Sequence, residues 1–238
     1  MSSDPQTLGA ASLALSLGML WLGMRAGRKQ RLLDDTPVSK ALGVFIGEVE
    51  IEGACVLSEP FTAYLSGQPC AIYRWSIEEE WERWETETYT DKDGKTRTRR
   101  VLRSGWTTVA DGGESSGFYI QDETGYVWVR PKGAELELLT LFSTSAYRGD
   151  ALYHEKGPSE SIDDSTGRRR YFERGMPIGT RLFVRGRARE RTDIVAAEIA
   201  EDPRAEMFII SPRKESDLSA GREGAYWTWC VLGLLLAL

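Results

Sequence analysis

The sequence is short of metal ligands. It holds three Cys and a single His, His154, with no CxxC or HxxxH spacing. A structural zinc site takes about four such ligands, so no metal site is expected. The nucleophile elbow GxSxG, the phosphate-binding P-loop and the HExxH pair are also missing, which leaves no motif for a self-sufficient hydrolase. No catalytic residue and no cofactor is therefore assigned. His154 lies between Tyr153 and Glu155 in an irregular stretch and reads as a solvated loop residue. Cationic surplus is lacking as well. The formal net charge is -6, so nucleic acid is an unlikely partner. Cys230 falls in the C-terminal apolar run, leaving Cys55 and Cys70, which read as reduced, packed thiols of a cytosol-facing domain rather than a disulfide.

Both ends lack charge. The run from Thr7 to Met24 has no acid or base and, as a helix, reaches about 27 Å, close to the hydrocarbon thickness of a bilayer. A cleaved signal peptide wants positive charge before its apolar run, but here only Asp4 precedes it and Arg25, Arg28, Lys29 and Arg31 follow it. The run is expected to be a transmembrane anchor. The basic cluster keeps its side in the cytoplasm, with the N-terminus outside. The last run, Ala225 to Leu238, opens with Trp227 and Trp229, as at a membrane interface. It reaches only about 21 Å. Arg213, Lys214 and Arg222 before it repeat the orientation.

What is present lies between these ends. Val44 to Gly53 reads VFIGEVEIEG, with Val49 and Ile51 alternating with Glu48, Glu50 and Glu52, the period of a half-buried strand. Cys70 to Tyr89 is a long strand candidate that turns at Asp93-Gly94, a strong hairpin signal. A two-residue turn there pairs Lys92 with Lys95, and sets Glu87 opposite Arg100, Trp84 opposite Arg103 and Trp81 opposite Trp106. The acidic and basic runs are then two sides of one hairpin. A second hairpin, Gly117 to Lys132, turns at Asp122-Glu123-Thr124-Gly125, where Asp122 bonds its own backbone. Residues 140–167 are less regular, with room for one short helix. Further strands fall at Met176 to Arg191, Ile194 to Ile199 and Met207 to Ile210. Gly179 and Gly186 read as turn or bulge positions. The fold expected is mainly β, an OB-like small barrel with a long hairpin arm, flanked by N- and C-terminal transmembrane helices. Its parts are an anchor over 1–27, a linker over 28–43, the β-rich domain over 44–215, and a connector with the second hydrophobic segment over 216–238.

One stripe stands out as a candidate for partner binding: Arg185, Arg187, Arg189 and Arg191, which share one strand face. Anionic lipid, phosphate or nucleic acid would suit it. The competing and preferred reading is a solvated face neutralised by Glu190, Glu198 and Glu201.

Five segments carry a family resemblance. They are Gly47-Glu48-Val49, Cys70-Ala71-Ile72-Tyr73, the F-x-I-x-D-x-T-G-x-V-x-V pattern from Phe118 to Val129, P-I-G-T-R-L-F-V-R-G from Pro177 to Gly186, and F-I-I-S-P-R-K-E-S-D-L from Phe208 to Leu218. Their order, with an apolar run at each end, resembles the GIDE domain, also called BAM. That domain lies between two transmembrane helices in membrane-embedded E3 ubiquitin ligases of mitochondria and chloroplasts, and in many prokaryotic proteins. The resemblance implies a membrane-anchored module that binds an unknown protein partner in ubiquitination or a related stress or organelle pathway. In the eukaryotic ligases a zinc-binding RING finger follows the second span. This chain ends within that span and has too few Cys and His for one, so it is expected to lack ligase activity of its own. The alternative is an OB-like membrane protein that senses a nucleotide or oligonucleotide.

Overall fold

In the computed structural model the described residues are 39–212, with Gly18 alone before them. The two expected membrane runs, Thr7 to Met24 and Ala225 to Leu238, otherwise lie outside that range. Among the described residues no helix is long and apolar enough to cross a membrane. The strands are β1 (Gly47–Val56), β2 (Phe61–Thr62), β3 (Pro69–Thr90) and β4 (Thr96–Ser115). Then come β5 (Phe118–Gln121), β6 (Tyr126–Val129), β7 (Glu135–Leu136) and β8 (Leu139–Tyr147). A short helix, α1 (Ala151–Glu155), precedes β9 (Ser165–Pro177), β10 (Arg181–Glu190), β11 (Ala197–Ala200) and β12 (Ile209–Ser211).

The chain divides into two compact units. Among the described residues, the first takes the chain from 39 to Val56, Gly117–Glu137 and the chain from Gly179 to 212. Its strands run in the order β1-β5-β6-β11-β10-β12-β7, and β10 pairs back onto β1, so that the first five form a ring extended by β12 and β7. This is a closed five-stranded barrel, as the sequence predicts. All neighbours in the ring are antiparallel except β6 and β11. Closure follows from alternation. Val49, Ile51 and Cys55 on β1, Phe118 and Ile120 on β5, Val127 and Val129 on β6, Leu182, Val184 and Ala188 on β10, and Ile199 on β11 are all buried. One side of every strand is thus apolar and turned to a common interior. Gly186 is neither turn nor bulge, contrary to expectation. It pairs with Val49 inside β10, and a Cβ there would strike the Phe208 ring and Ile199. Gly179 does sit in a turn, with φ of 82°.

The second unit takes Leu57–Ser116 and Leu138–Ile178, both inserted into the chain of the first. Its sheet has the order β2-β3-β9-β8, with β4 on the free side of β3. The hairpin expected as an arm of the barrel supplies the long strands of this unit. Pairing of β3 with β9 ends at Trp81 and Ser165. Beyond it, β3 and β4 continue as a two-stranded ribbon.

The hairpin register differs from the expected one by one residue. Glu87 pairs with Arg99, Trp84 with Leu102 and Trp81 with Gly105. The cause lies at Asp91. Its carboxylate accepts from the amides of Asp93 and Lys95, each at 3.0 Å, and from Arg97 Nε at 2.6 Å. Gly94 N–H donates to the Asp91 carbonyl, and Gly94 takes φ of 76°. Asp91 and Lys95 close the loop around three residues, the last of them a left-handed Gly. The charge pairing survives the slip. Glu87 accepts from Arg99 at 2.9 Å and also from Arg103, and Arg100 lies over the Trp84 ring at 5.4 Å.

The strand β9 was not expected, because its inward face is charged. Arg169 and Glu173 on β9 and Glu79 on β3 are fully buried beside Tyr171 and Ile77. Arg169 Nε donates to Glu79 at 2.9 Å and Nη2 lies 2.9 Å from the same carboxylate. Nη1 donates to the carbonyls of Tyr153 and Pro158, and Nη2 to that of Glu160. Glu79 also accepts from the hydroxyls of Tyr153 and Ser165. Burial pushes the Glu79 pKa up, but the hydrogen bonds from Ser165, Tyr153 and Arg169 outweigh it and hold the pKa below the usual carboxylate value. Glu173 caps another loop, accepting from the amides of Leu65 at 2.8 Å and Ser66 at 2.7 Å. Cys55 and Cys70 are buried and not joined in a disulfide. Burial, helped by the Glu173 charge, pushes the Cys70 thiol up to about 11.

A guanidinium this deep tolerates no missing partner. Glu79→Gln is expected to destabilise the protein by about 3–5 kcal/mol in denaturant unfolding, while replacing both partners, Glu79→Leu with Arg169→Met, should recover most of that loss. Equal stability of Glu79→Gln and the parent would show that the pair is not what holds β9 in place.

Candidate functional site

The arginine stripe lies on the outer side of β10, opposite the acidic positions of β1. Direct register partners are Arg185 with Glu50 and Arg187 with Glu48. Arg185 is 2% exposed and meets Glu50 at 3.4 Å. Arg187 meets Glu48 at 3.5 Å and Asp202 at 3.8 Å. Arg189 shares Glu198 with Arg130, at 2.9 and 2.7 Å. Arg191 grips Asp193 with two hydrogen bonds of 2.9 and 2.6 Å. Every member of the stripe therefore has a carboxylate within the barrel unit. Of the three acids expected to neutralise it, Glu198 is among those found.

The stripe leads onto a group of aromatic side chains on the outside of β5 and β6. The register sets Tyr119 opposite Trp128 and Gln121 opposite Tyr126. Tyr119 meets Trp128 edge-on with centroids 4.7 Å apart, and Tyr126 at 6.3 Å. The Arg191 guanidinium lies 5.5 Å from the Trp128 ring and donates to the Tyr119 hydroxyl at 3.3 Å. Trp128 is the register partner of Glu198 on β11. Tyr119, Trp128, Glu198 and Arg189 thus form one row across four strands. Glu198 is 1% exposed beneath its two arginines. Burial raises its pKa, and the hydrogen bonds from Arg130 and Arg189 more than reverse that. Asp193 is held down to about 2 by its hydrogen bonds from Arg191. The sequence analysis places these aromatic residues within the second hairpin and assigns them no role. The signal was there, since alternation in F-Y-I-Q and Y-V-W-V points Phe118, Ile120, Val127 and Val129 inward and the aromatics outward.

The Asp122 turn does more than expected. One carboxylate oxygen accepts from Thr124 N–H and Oγ1, both at 2.7 Å, and from Gly125 N–H at 3.0 Å. The other accepts from Ala41 N–H at 2.8 Å. Thr124 Oγ1 in turn accepts from Leu42 N–H at 3.0 Å. The end of the expected linker is thereby fastened to the barrel. Burial alone would raise the Asp122 pKa, but the bonds from Thr124, Ala41 and Gly125 bring it down to about 2. A cleft of ≈ 450 Å³ opens beside this fastening, lined by Lys40, Gly53, Gln121, Asp122 and Arg181 among others. Its cations are occupied, Lys40 by Glu123 at 2.5 Å and Arg181 by Glu52 at 3.0 Å.

His154 lies exposed in the last turn of α1, with Nε2 2.7 Å from the Arg148 carbonyl. Among the described residues no group of His, Cys, Asp and Glu is placed to hold a metal ion. The arrangement offers a charged, aromatic outer surface.

A family model described as GIDE, E3 ubiquitin ligase, matches residues 86–238. The chain belongs to the GIDE family. Comparisons with curated proteins and with solved structures find no match.

Because the folded Asp122 pKa lies below the ordinary value of 3.8, its contribution is whole above about pH 4 and drains away as pH falls toward about 2. Asp122→Ala is expected to cost about 1–2 kcal/mol at pH 7 through loss of these bonds. Its unfolding midpoint should also respond less than the parent's to acidification across that window. A variant that tracks the parent at both pH values would remove Asp122 as the fastening.

Proposed function

We propose that this GIDE-family chain is the partner-binding part of an E3-ubiquitin-ligase-type assembly, held at a bilayer by its two uncharged ends, with its β units on the cytoplasmic side and its N-terminus outside. These 238 residues are assigned the binding role and not ubiquitin transfer itself. Three Cys and one His in 238 residues do not supply the ligands of a two-zinc RING finger.

The observation that carries the partner-binding reading is the ribbon. Trp84 and Leu102 are register partners on one face of it and are 59% and 43% exposed. A two-stranded ribbon buries little of its own apolar surface and is marginal in water. An exposed Trp backed by Leu, with Arg100 stacked on the ring, is the composition of an interface anchor. The thread of ion pairs from Glu85 and Glu87 to Arg83, Arg99 and Arg103 keeps the ribbon extended without a partner.

A photo-crosslinker at position 84 tests this in detergent-solubilised membranes. One discrete protein should be captured, and capture should fall at least about tenfold, roughly 1.4 kcal/mol, in Leu102→Ser, with thermal unfolding unchanged. No discrete adduct, or one indifferent to Leu102, counts against it. The intact chain should also sediment with membranes and leave them only with detergent. Ubiquitin transfer by the purified chain alone would refute the division of labour.

The barrel's outer aromatics favour a second reading. OB barrels bind oligonucleotides on the equivalent strand face, and Tyr119, Tyr126, Trp128 and Arg191 provide stacking groups beside a cation. Single-stranded binding there would weaken steeply with salt and with Tyr126→Ala.

A further inference from the structure

The arginines of the second unit are almost all engaged. Arg168 lies 3.8 Å from Glu80 and Arg170 pairs with Glu78, both also facing the Trp106 ring. Arg169 is the buried partner of Glu79. Arg74 on β3 and Arg174 on β9 differ. They are direct register partners, and both are exposed. Among the described residues neither side chain has a hydrogen bond, an ion pair or a ring contact. Side chains directly opposite in an antiparallel pair share a face with Cβ atoms about 4.5–5.5 Å apart, and like charges there repel. Among the described residues no acid of the sheet forms an ion pair with either member.

The surroundings of the pair are small and polar on two sides. Gly113 is opposite Arg74 on β4, and Thr140 is opposite Arg174 on β8. In the next row, Asp111, Ser76, Phe172 and Ser143 lie across the four strands. Asp111 forms no ion pair with either arginine among the described residues. Phe172 is 36% exposed and stands two residues before Arg174, hence on the same face.

We infer that Arg74 and Arg174 together bind the dianionic phosphate of a phosphate monoester, with Phe172 against the ester group. Two guanidinium forks carry two positive charges, which match the charge of about -1.5 to -2 on a phosphate monoester. A single carboxylate would leave one arginine uncompensated. Planar forks suit phosphate oxygens in bidentate fashion. Gly113 and Thr140 leave the approach clear, and the hydroxyls of Thr140, Ser76 and Ser143 supply donors at its border. The Phe172 ring gives an apolar wall that free phosphate cannot use. The site is separate from the ribbon anchor, so the two stand or fall independently.

The test titrates the 238-residue chain with phenyl phosphate, phenyl sulfate and inorganic phosphate at low salt, by calorimetry or NMR. Phenyl phosphate should saturate one site and bind more tightly than the monoanionic sulfate ester or inorganic phosphate. Arg74→Gln and Arg174→Gln should each weaken it roughly tenfold, and Trp84→Ala should leave it unchanged. Without ligand, either Gln variant should unfold at the parent's temperature or above it, since a repulsion is removed. Absence of saturable binding, or binding that both Gln variants leave intact, would overturn the site. Inorganic phosphate matching phenyl phosphate would overturn the assignment to an ester.

Discussion

The guanidinium of Arg169 sits where no water reaches, and the second unit is arranged around satisfying it. An arginine has five N–H donors in a fixed fork, and leaving one unmatched in a buried position costs more than the pair returns. The fork spends part of itself on Glu79 and the rest on the carbonyls of Tyr153, Pro158 and Glu160. Those carbonyls belong to the segment between β8 and β9, which has little apolar content to hold it. The ion pair therefore does for this segment what a hydrophobic core does for a helix. Tyr153 takes part twice, through its carbonyl and through its hydroxyl on Glu79, and its ring lies 4.0 Å from the guanidinium. Glu173 repeats the device on Leu65 and Ser66 with a carboxylate in place of a cation.

The barrel uses charge differently. Its interior is wholly apolar along the strands, and ion pairs run along the outside, where β1 offers Glu48, Glu50 and Glu52 to Arg187, Arg185 and Arg181. Glu50 with Arg185 is the one rung that burial has closed off. Strand register fixes these pairs, so a slip of one residue would turn every acid inward at once. The ladder thus acts as a guard on register as much as a source of stability, since exposed ion pairs individually contribute little. It also consumes the positive charge that made the stripe look like a binding surface.

The same physics decides what could be read from residue order. Strands whose two faces differ in polarity were legible: β1, both hairpins and β10 show period two, and the barrel followed from their order. The strand β9 was not legible because Arg169 and Glu173 occupy inward positions, so alternation of apolar and polar residues is broken where the strand matters most. The outer edge strand β8, Leu139–Tyr147, reads as a loop because Thr140, Ser143, Thr144 and Ser145 dilute its apolar residues. The hairpin turn was placed correctly and its register was not, because Asp-Gly signals a turn without saying which residue closes it. Only the Asp91 carboxylate decides that. At the site level, the stripe and one of its partners, Glu198, were visible, but the partners on β1 were not. Glu48 and Glu50 lie more than a hundred residues away in sequence, and cross-barrel pairing alone brings them to β10.

Insertion topology ties these observations together. The chain leaves the barrel after Val56 and again after Glu137, and returns at Gly117 and Gly179. Each return is anchored by barrel pairing: β5 meets the end of β1, and Cys55 exchanges backbone hydrogen bonds with Gly179 and Thr180 at 2.8 and 2.9 Å. The barrel closes only when both excursions come back to the same strand end, β1 at Ala54 to Val56. The five-stranded ring itself has no edge to lend to another chain, with only the short β12 and β7 extending its sheet from β10, whereas among the described residues the inserted unit keeps open edges at β4 and β8 and a ribbon that nothing in its own sheet covers. Selection can alter the inserted residues without touching the alternation that closes the ring. Sites are grafted onto folds in this way, and in this chain the inserted unit is the part left free to carry them.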